Sequence, residues 1–327
     1  MDRNLVVELF KNSKQLKSIV NFIDARKFTW VFSSSFCLIA LISLFFNGLN
    51  LSLEFTGGTQ LEVRFQDSIS INDVTVRLES ANLKSARVQR YGSTKDFLIR
   101  LGNIKLSNDL KQDQENKIAT LVIDALSSKD NVATLRRIEY IGSEVGEKLV
   151  EHGAIAVIIS IFATMLYIAV RFEYRLAVSA AITLCHNAII VLGCFSISKC
   201  EFDLATLAAI LAVIGYSLND TIVIFDRVRE NFRKYHKETV KEIVNISINQ
   251  TLSRTTMTSF LTLLVVLSLL FVGGQSLFGF SLALTIGIII GTYASICISG
   301  SVAVWLGLSR KDFLLHLSHI NKFESKR

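Results

Sequence analysis

The sequence predicts a polytopic α-helical membrane protein with six transmembrane helices and one α+β domain inserted between the first and second helices. Half of the 327 residues are hydrophobic and the mean hydropathy is +0.44, which is typical of a chain that lies largely in a bilayer. Six apolar runs reach the roughly 20 residues that a spanning helix needs. Between the first two runs, residues 48–150 hold 14 acidic and 14 basic residues, as a water-soluble domain would.

The six apolar runs define the expected spans. They are residues 29–47, 152–170, 176–197, 204–225, 256–272 and 279–307. The first run follows a polar or amphipathic lead without a small-residue cleavage site, so we expect a retained anchor rather than a signal peptide. Within that lead, residues 4–23 space their apolar positions like a helix and carry lysines between them, which favours a helix on the membrane surface.

The basic residues predict the orientation of these spans. Together, 20 of the 35 Lys and Arg residues lie in 1–28, 171–175, 226–254 and 309–327, whereas the loops near 198–202 and 273–278 hold only Lys199. Because positively charged loops stay in the cytoplasm, both termini should be cytoplasmic and the inserted domain should be exported. The net charge of +7 then reflects orientation and calls for no nucleic-acid partner.

The expected domain organisation follows from the spans and their orientation. It is a cytoplasmic N-terminal segment at 1–28, transmembrane helix one at 29–47, a periplasmic domain at 48–150, helices two to six at 151–308, and a cytoplasmic tail at 309–327.

The exported domain alternates strand and helix patterns. Strand patterns occupy residues 59–65, 85–91, 96–101 and 131–141, and amphipathic helix patterns occupy 70–82 and 108–128. This order suggests a small α+β sandwich of ferredoxin-like type. Since the domain contains no His or Cys and its acidic residues are interspersed with basic ones, we expect a binding or lever-like module rather than an enzyme.

Two adjacent glycines, Gly57 and Gly58, stand where the chain enters this domain. Glycine reaches backbone conformations that other residues avoid. The pair therefore predicts a tight turn at the junction between the membrane and the first strand of the domain.

The fourth span contains a carboxylate on its apolar side. When the span is drawn as a helix, its small and polar residues fall within one arc of about 140°, so Asp220 should face protein rather than lipid. That arc contains Ala205, Ala208, Ala209, Ala212, Gly215, Tyr216, Asn219 and Asp220. Arg254 enters the fifth span from the same side of the membrane, and its long side chain is a candidate partner for Asp220.

Two roles for this pair remain open on the residues alone. A static ion pair would hold two helices together, which is the commoner role of buried Asp–Arg pairs. Alternatively, pairing favours the charged carboxylate while burial favours the proton, so Asp220 could carry or gate protons as the helices move. On that hypothesis Asp220, Arg254 and Asn219 lie on a proton pathway. Nearby hydroxyls would hold water for it, namely Thr221, Thr255, Thr256 and Thr258.

Small residues recur at every fourth position of the sixth span, which predicts a close-packed helix contact. The row consists of Gly279, Ala283, Gly287, Gly291, Ser295, Ser299 and Ala303. In the third span, His186 beside Asn187 has no ligand spacing to another His or Cys. We therefore expect a helix–helix hydrogen bond at His186 and no metal site.

Five segments, in order along nearly the whole chain, carry a family resemblance. They are EFTGGT (54–59), VRFEYRLAVSAAITLCHN (170–187), AVIGYSLNDTIVIFDRVREN (212–231), NQTLSRTTMTS (249–259) and LFGFSLALTIGIIIGTYASI (277–296). With these segments the chain resembles the SecF branch of the SecD/SecF protein-export family. The resemblance implies one half of an RND-type transporter, and it places the family's proton-pathway positions at Asp220 and Arg254.

The resemblance also implies a function and a set of partners. The expected role is an auxiliary, non-enzymatic subunit of the Sec translocase in the bacterial inner membrane, driven by the proton gradient without a cofactor. SecD would supply the other pseudo-symmetric half, with its own intramembrane carboxylate. Further implied partners are the SecYEG channel, YajC, the translocating preprotein and, indirectly, SecA.

Two rival functions and two departures from the family pattern complete the expectations. One rival is a small-molecule RND-type proton exporter, although such pumps usually carry both halves and two large exported domains in one chain. The other is a passive translocon scaffold. The sequence contains no GxxxxGK[ST] motif, so we expect no direct use of ATP. Glu54 stands where the family usually has Asp, and the family usually has a Pro near Ser143, so the junction geometry is open.

Overall fold

The computed structural model describes residues 20–83, 86–90, 93–102, 111–128 and 131–310. Within them, six helices are long and apolar enough to cross a membrane, which confirms a polytopic helical membrane protein. The predicted surface helix at 4–23 and the tail at 309–327 lie almost entirely outside the described residues. In chain order the helices are α1 (Arg26–Asn47), α2 (Leu53–Thr56), α3 (Ile71–Ser80), α4 (Lys111–Leu126), α5 (Ser143–Arg171), α6 (Tyr174–Ser198), α7 (Leu204–Lys234), α8 (Val240–Val272), α9 (Gln275–Ala294) and α10 (Gly300–Trp305), with a π-helix at Ser295–Ser299.

Three of the spanning helices extend well beyond their apolar runs, and α5 already begins at Ser143 rather than at 152. Helix α7 continues to Lys234 rather than ending at 225, and α8 begins at Val240 rather than at 256. The start of α8 is a capping box, in which Thr239 accepts a hydrogen bond from the Glu242 backbone N–H and the Glu242 carboxylate accepts one from the Thr239 backbone N–H. Hydropathy finds only the apolar part of such a helix, because polar turns that leave the bilayer keep the helical backbone.

An inserted domain, Gly58–Ile141, lies between α1 and α5. Its strands are β2 (Gly58–Phe65), β3 (Arg87–Arg90), β4 (Asp96–Leu101) and β5 (Ala133–Ile141), which alternate with α3 and α4 close to the predicted positions. They form an antiparallel sheet in the order β3–β4–β2–β5. Two further short strands, β1 (Asn50–Leu51) and β6 (Glu201–Phe202), pair in parallel outside this sheet.

The period of two along the strands gives the sheet one apolar and one polar face. The apolar face packs with α3 and α4 into a core that includes Leu61, Val63, Phe65, Phe97, Ile99, Leu101, Val74, Leu78, Val122 and Leu126. The polar face carries Gln60, Glu62 and Arg100, and it is turned towards the ends of the membrane helices, with which it lines shared cavities.

Glycines fix the junction between this domain and the bundle. Gly57 and Gly58 have φ angles of +68° and +132°, which favour glycine, and a side chain at Gly58 would collide with the carbonyl oxygen of Leu101. A Cβ at Gly146 of α5 would lie 2.6 Å from the carbonyl oxygen of Phe55 in α2. The short helix α2 therefore packs directly against α5.

The row of small residues in the last span lies against α7. Added side chains at Gly279, Gly287 and Gly291 would collide with Thr206, Val213 and Ser217 of α7, and Ala283 is fully buried. Close approach of the two backbones holds α9 against the helix that carries Asp220. The π-helix at Ser295–Ser299 was not predicted, because the four-residue spacing of the row is equally compatible with an uninterrupted α-helix.

Gly287→Ala should destabilise the protein because its new methyl group meets Val213, which is buried and cannot move aside. We expect a loss of about 1–3 kcal/mol in the free energy of unfolding, as for other overpacked cores. Gly215→Ala is the matched control, because no atom lies within 4 Å of the added methyl group in this chain. Thermal unfolding of the purified chain in detergent should show a lower midpoint for Gly287→Ala only, and equal midpoints would contradict the α7–α9 contact.

Candidate functional site

The carboxylate of Asp220 lies in the interior of the helix bundle. The residue is 3% exposed and sits on α7 where that helix packs against both α8 and α9. Ser259 of α8 donates a hydrogen bond of 3.4 Å from its Oγ to Oδ2 of Asp220. A buried carboxylate is costly unless it is hydrogen-bonded, paired or protonated, so the groups around it decide its state.

Hydroxyl groups from three helices gather around this carboxylate. Thr292 Oγ1 of α9 lies 2.7 Å from Ser259 Oγ and also 2.7 Å from the Ile288 carbonyl oxygen, so these two acceptors share its single hydroxyl proton. The hydroxyl oxygen of Tyr216 in α7 lies 3.5 Å from Ser259 Oγ and 3.3 Å from Thr262 Oγ1. These groups form a short row of exchangeable protons that begins at Asp220 and runs along α8.

Thr255 adds one more hydroxyl to the same face of α8. It precedes Ser259 by one helical turn, is 1% exposed, and its Oγ1 has no hydrogen-bond partner among the described residues. A buried hydroxyl without a protein partner is a site where a water molecule gains hydrogen bonds. The face of α8 next to Asp220 is therefore polar on both sides of Ser259.

A second polar row crosses the bundle beside Asp220. His186 Nε2 lies 2.5 Å from Ser33 Oγ of α1, and its Nδ1 lies 3.2 Å from Oδ1 of Asn187. Asn187 in turn donates to Ser217 Oγ at 3.2 Å, one turn before Thr221 on α7. The expected helix–helix hydrogen bond of His186 is confirmed.

Arg254 lies close enough to Asp220 for its charge to act on the carboxylate, but the two side chains do not form an ion pair. Arg254 is exposed on α8, and among the described residues no ion pair joins it to Asp220. Helix geometry explains this, because Arg254 precedes Ser259 by five positions, and at 100° per residue the two side chains point about 140° apart. Thr255, four residues from Ser259, stays on the buried face. The candidate partner Arg254 thus acts on Asp220 through its charge without an ion pair in this chain, and its place on the proton pathway stays a prediction.

Asn219 is also exposed, at the end of a row of small residues on α7. The row consists of Ala208, Ala212, Gly215 and Asn219. On α8, Thr258 and Arg254 continue the exposed surface beyond the contact of Tyr216 with Thr262. We call these six residues the open face. It differs from the exposed face of α5, where large apolar residues such as Ile158 and Phe162 lie, as expected towards lipid.

The comparison with known protein families identifies the chain. Residues 121–309, which hold the hydroxyl row, the open face and Asp220, match the family model described as the C-terminal part of the protein-export membrane proteins SecD/SecF. Residues 42–69 match the SecD/SecF GG motif, and this match contains Gly57 and Gly58. The chain belongs to the SecD/SecF family.

Relatives in this family match over nearly the whole chain. The protein translocase subunit SecF of Pseudomonas aeruginosa is 42% identical over 90% of this chain and 94% of its own length. That of Vibrio alginolyticus is 39% identical over 94% of this chain and 95% of its own length. These similarities place the chain with the SecF members of the family.

Solved structures of the family share the fold. The crystal structure of SecDF from Thermus thermophilus is 34% identical, with a TM-score of 0.76 over 89% of this chain and 39% of that chain. A SecDF structure in a super-membrane-facing form is 30% identical, with a TM-score of 0.61 over 94% of this chain and 40% of that chain. The SecD/SecF chain described here thus spans about two fifths of the length of these solved chains.

Three members of the site were missed by sequence reasoning, namely Tyr216, Ser259 and Thr292. Tyr216 was placed on the correct arc of α7 but was given no role. Ser259 closes the segment SRTTMTS and follows Thr255 by four residues, so its position on the Asp220 face was readable once Thr255 was assigned to that face. Thr292 follows Gly291 in the small row, and only the packing of α9 brings its hydroxyl to Ser259.

Ser259→Ala should raise the frequency of the C=O stretching band of protonated Asp220, because the carbonyl loses its hydrogen-bond donor. Infrared difference spectroscopy between low and high pH measures the band, and Asp220→Asn identifies it by its disappearance. Ser268→Ala is the control, since within the described part of the chain the Ser268 hydroxyl bonds to the Leu264 carbonyl of its own helix. If the frequency of the band is unchanged in Ser259→Ala, the Ser259 hydroxyl does not contact the carboxylate.

Proposed function

We propose that this chain works with a SecD partner in the bacterial inner membrane to couple the proton-motive force to late steps of preprotein export. The observation that carries the proposal is Asp220, a bundle carboxylate 3% exposed, with hydroxyls of three helices near it and the open face next to it. A carboxylate with exchangeable protons around it can bind and release a proton without a cofactor. No nucleotide or metal takes part in this proposal.

The proposed orientation places both termini in the cytoplasm and the inserted domain in the periplasm. The uneven distribution of Lys and Arg between the loops supports it. The order β-α-β-β-α-β and the sheet order β3–β4–β2–β5 support a ferredoxin-like domain on the exported side. The site of Asp220 then lies in the membrane, within the part of α7 nearer to the cytoplasm.

SecD is the partner that we propose for the open face. The small side chains of Ala208, Ala212 and Gly215 allow another helix to approach closely. A surface of small residues is typical of a helix–helix contact rather than of a lipid contact. Arg254 is a charge at the edge of the apolar part of α8, and an unpaired charge in the bilayer costs about 2.5–3.5 kcal/mol on insertion scales. A carboxylate of the partner at this face would pair with Arg254 and bring a second acid close to the Asp220 site.

The energy available supports a mechanical role for proton movement. One elementary charge that crosses the membrane yields about 2.3 kcal/mol per 100 mV. Protonation of Asp220 removes a charge from the bundle interior, so the preferred contacts of α7 with α8 and the partner differ between the two states. SecYEG, YajC, the translocating preprotein and, indirectly, SecA complete the proposed assembly by family resemblance.

The two rival functions have less support. A small-molecule exporter needs a substrate path between two pseudo-symmetric halves, and the relatives that match nearly the full chain are named as protein translocase subunits. A passive scaffold needs no carboxylate in its interior, so the presence of a costly buried acid beside a hydroxyl row favours a working proton site.

Asp220→Asn and Arg254→Ala should each abolish the export that depends on the proton-motive force, because one removes the proton acceptor and the other its proposed charge partner. Export of a preprotein into membrane vesicles with and without an ionophore measures this component. Asp226→Asn is the control, since this exposed acid near the helix end pairs with Arg171 at 3.0 Å. Full activity of either site variant, with SecD still co-purifying, would refute the proton role.

Ala212→Leu should weaken the association with SecD, because the larger side chain fills the space that the open face leaves for the partner helix. The isolated chain should unfold at an unchanged temperature, since Ala212 is exposed in it. Co-purification of tagged SecD measures the association. The control is Ile158→Phe on the exposed apolar face of α5, which should leave SecD bound. Equal recovery of SecD with all variants would place the interface elsewhere.

A further inference from the structure

The inserted domain is held by a helix to which it has no direct covalent connection. The chain enters the domain from α1 and leaves it into α5, yet its polar contacts reach the segment in front of α7, the helix that carries Asp220. Three separate contacts make this connection, and each joins the entrance or the sheet of the domain to residues 201–204.

Two of these contacts fix the beginning of α7. Strand β1 pairs with β6, and the Ser52 backbone N–H donates to the carbonyl of Phe202 at 2.9 Å. The Glu54 carboxylate accepts a hydrogen bond of 2.7 Å from the backbone N–H of Leu204, the first residue of α7. A carboxylate at a helix N-terminus satisfies a free N–H and interacts favourably with the helix dipole. Although Glu54 stands where the family usually has Asp, its carboxylate still binds the N-terminus of α7.

The third contact links the sheet itself to this segment. Arg100 of β4 binds Glu201 through two nitrogen–oxygen contacts of 2.5 and 2.6 Å. This bidentate geometry fixes the orientation of the guanidinium relative to the carboxylate group. Gln60 on the adjacent strand accepts a third hydrogen bond from Arg100 at 2.8 Å and so orients the guanidinium. The two charged side chains are only 22% and 26% exposed, so solvent screens the pair incompletely.

The Arg100–Glu201 ion pair lies between two cavities, so it bridges a gap between the sheet and the segment in front of α7. A cavity of about 560 Å³ and another of about 300 Å³ lie between the polar face of the sheet and the ends of the membrane helices, and Arg100 and Glu201 line both. The pair thus crosses a gap in which the domain has room to tilt. The covalent connections near Gly57 and Gly142 would permit such a tilt, whereas the ion pair decides whether the tilt follows α7.

Helix α7 joins this link to the buried acid as one continuous element. Asp220 follows Leu204 by 16 residues, which corresponds to about 24 Å along an uninterrupted helix. The whole chain lacks proline, so no such residue weakens the helix between the two points. A displacement of α7 at Asp220 therefore reaches Glu201 and Arg100 rather than being absorbed on the way.

We propose that the Arg100–Glu201 ion pair is a strut that stays closed while α7 moves and carries that movement to the inserted domain. Glu54 holds the helix start in place against the same junction. The proposal rests on the proposed function, because it assigns to these residues the transmission of proton-driven movement. Arg100 and Glu201 are positioning residues in this role, since neither lies at the proton site.

The test compares Arg100→Gln with Arg64→Gln in the full chain assembled with SecD. Arg64 forms an equally bidentate pair with Asp96, at 2.5 and 2.6 Å, but entirely within the domain, where the guanidinium lowers the pKa of Asp96 to about 2. We expect Arg100→Gln to lose the proton-dependent part of export and to keep the proton flux that Asp220→Asn abolishes. Arg64→Gln should keep both, and the exchange Arg100→Glu with Glu201→Arg should restore export.

A cross-link distinguishes a strut from a latch that must open. Arg100→Cys and Glu201→Cys, combined with Cys200→Ser to remove the neighbouring thiol, are joined by a short flexible bis-maleimide. A strut keeps proton-dependent export in the joined form, with each single cysteine variant as the control for the reagent. Loss of export on joining would overturn the proposal, because it would show that the contact has to break.

The two proposals fail in different ways. If Arg100→Gln exports normally while Asp220→Asn still abolishes proton flux, the strut is refuted and the proton site stands. If Asp220→Asn leaves the flux unchanged, the proposed function fails, and the strut fails with it. The strut is supported if Arg100→Gln loses export but keeps the Asp220-dependent proton flux, and if the exchanged pair recovers export.

Discussion

The burial of one carboxylate constrains the whole bundle. Asp220 is taken out of water on α7, and the desolvation of an ionised acid in such a place is too costly to leave uncompensated. The hydroxyls of Ser259 and Thr292 approach it only because α8 and α9 pack closely against α7. The glycines of α9 are therefore part of the site: without close approach at Gly287 and Gly291 the donor row would lie too far from the acid.

The same helix also connects the interior of the bundle to the inserted domain. Its polar start is bound by Glu54, by strand β1 and, through Glu201, by Arg100 of the sheet. A charge change at one end of α7 and a soluble module at the other end thus share a rigid element. On the proposed function, this arrangement lets the inserted domain act as a lever, because it contacts α7 without being covalently attached to it.

The open face explains why the site looks incomplete in a single chain. Arg254 and Asn219 are exposed, beside small residues that are poorly suited to lipid. A partner subunit that covers this face would bury the guanidinium and extend the polar region around the acid. The solved SecDF chains, of which this chain spans about two fifths, leave room for such a second half.

The sequence by itself determined the six helices, the positions of the strands and helices in the inserted domain, the burial of Asp220 and the row of small residues in the last span. These are local properties, since hydropathy and periodicity along one segment report which side of that segment meets an apolar environment. The tertiary structure alone decided that Ser259 rather than Arg254 meets Asp220, and that Glu54 and Arg100 hold the start of α7. Such contacts depend on how each helix is rotated about its axis and on which helices are neighbours. A rotation of 140° about the helix axis separates Arg254 from Ser259 although only four residues lie between them, and distance along the chain does not reveal this rotation.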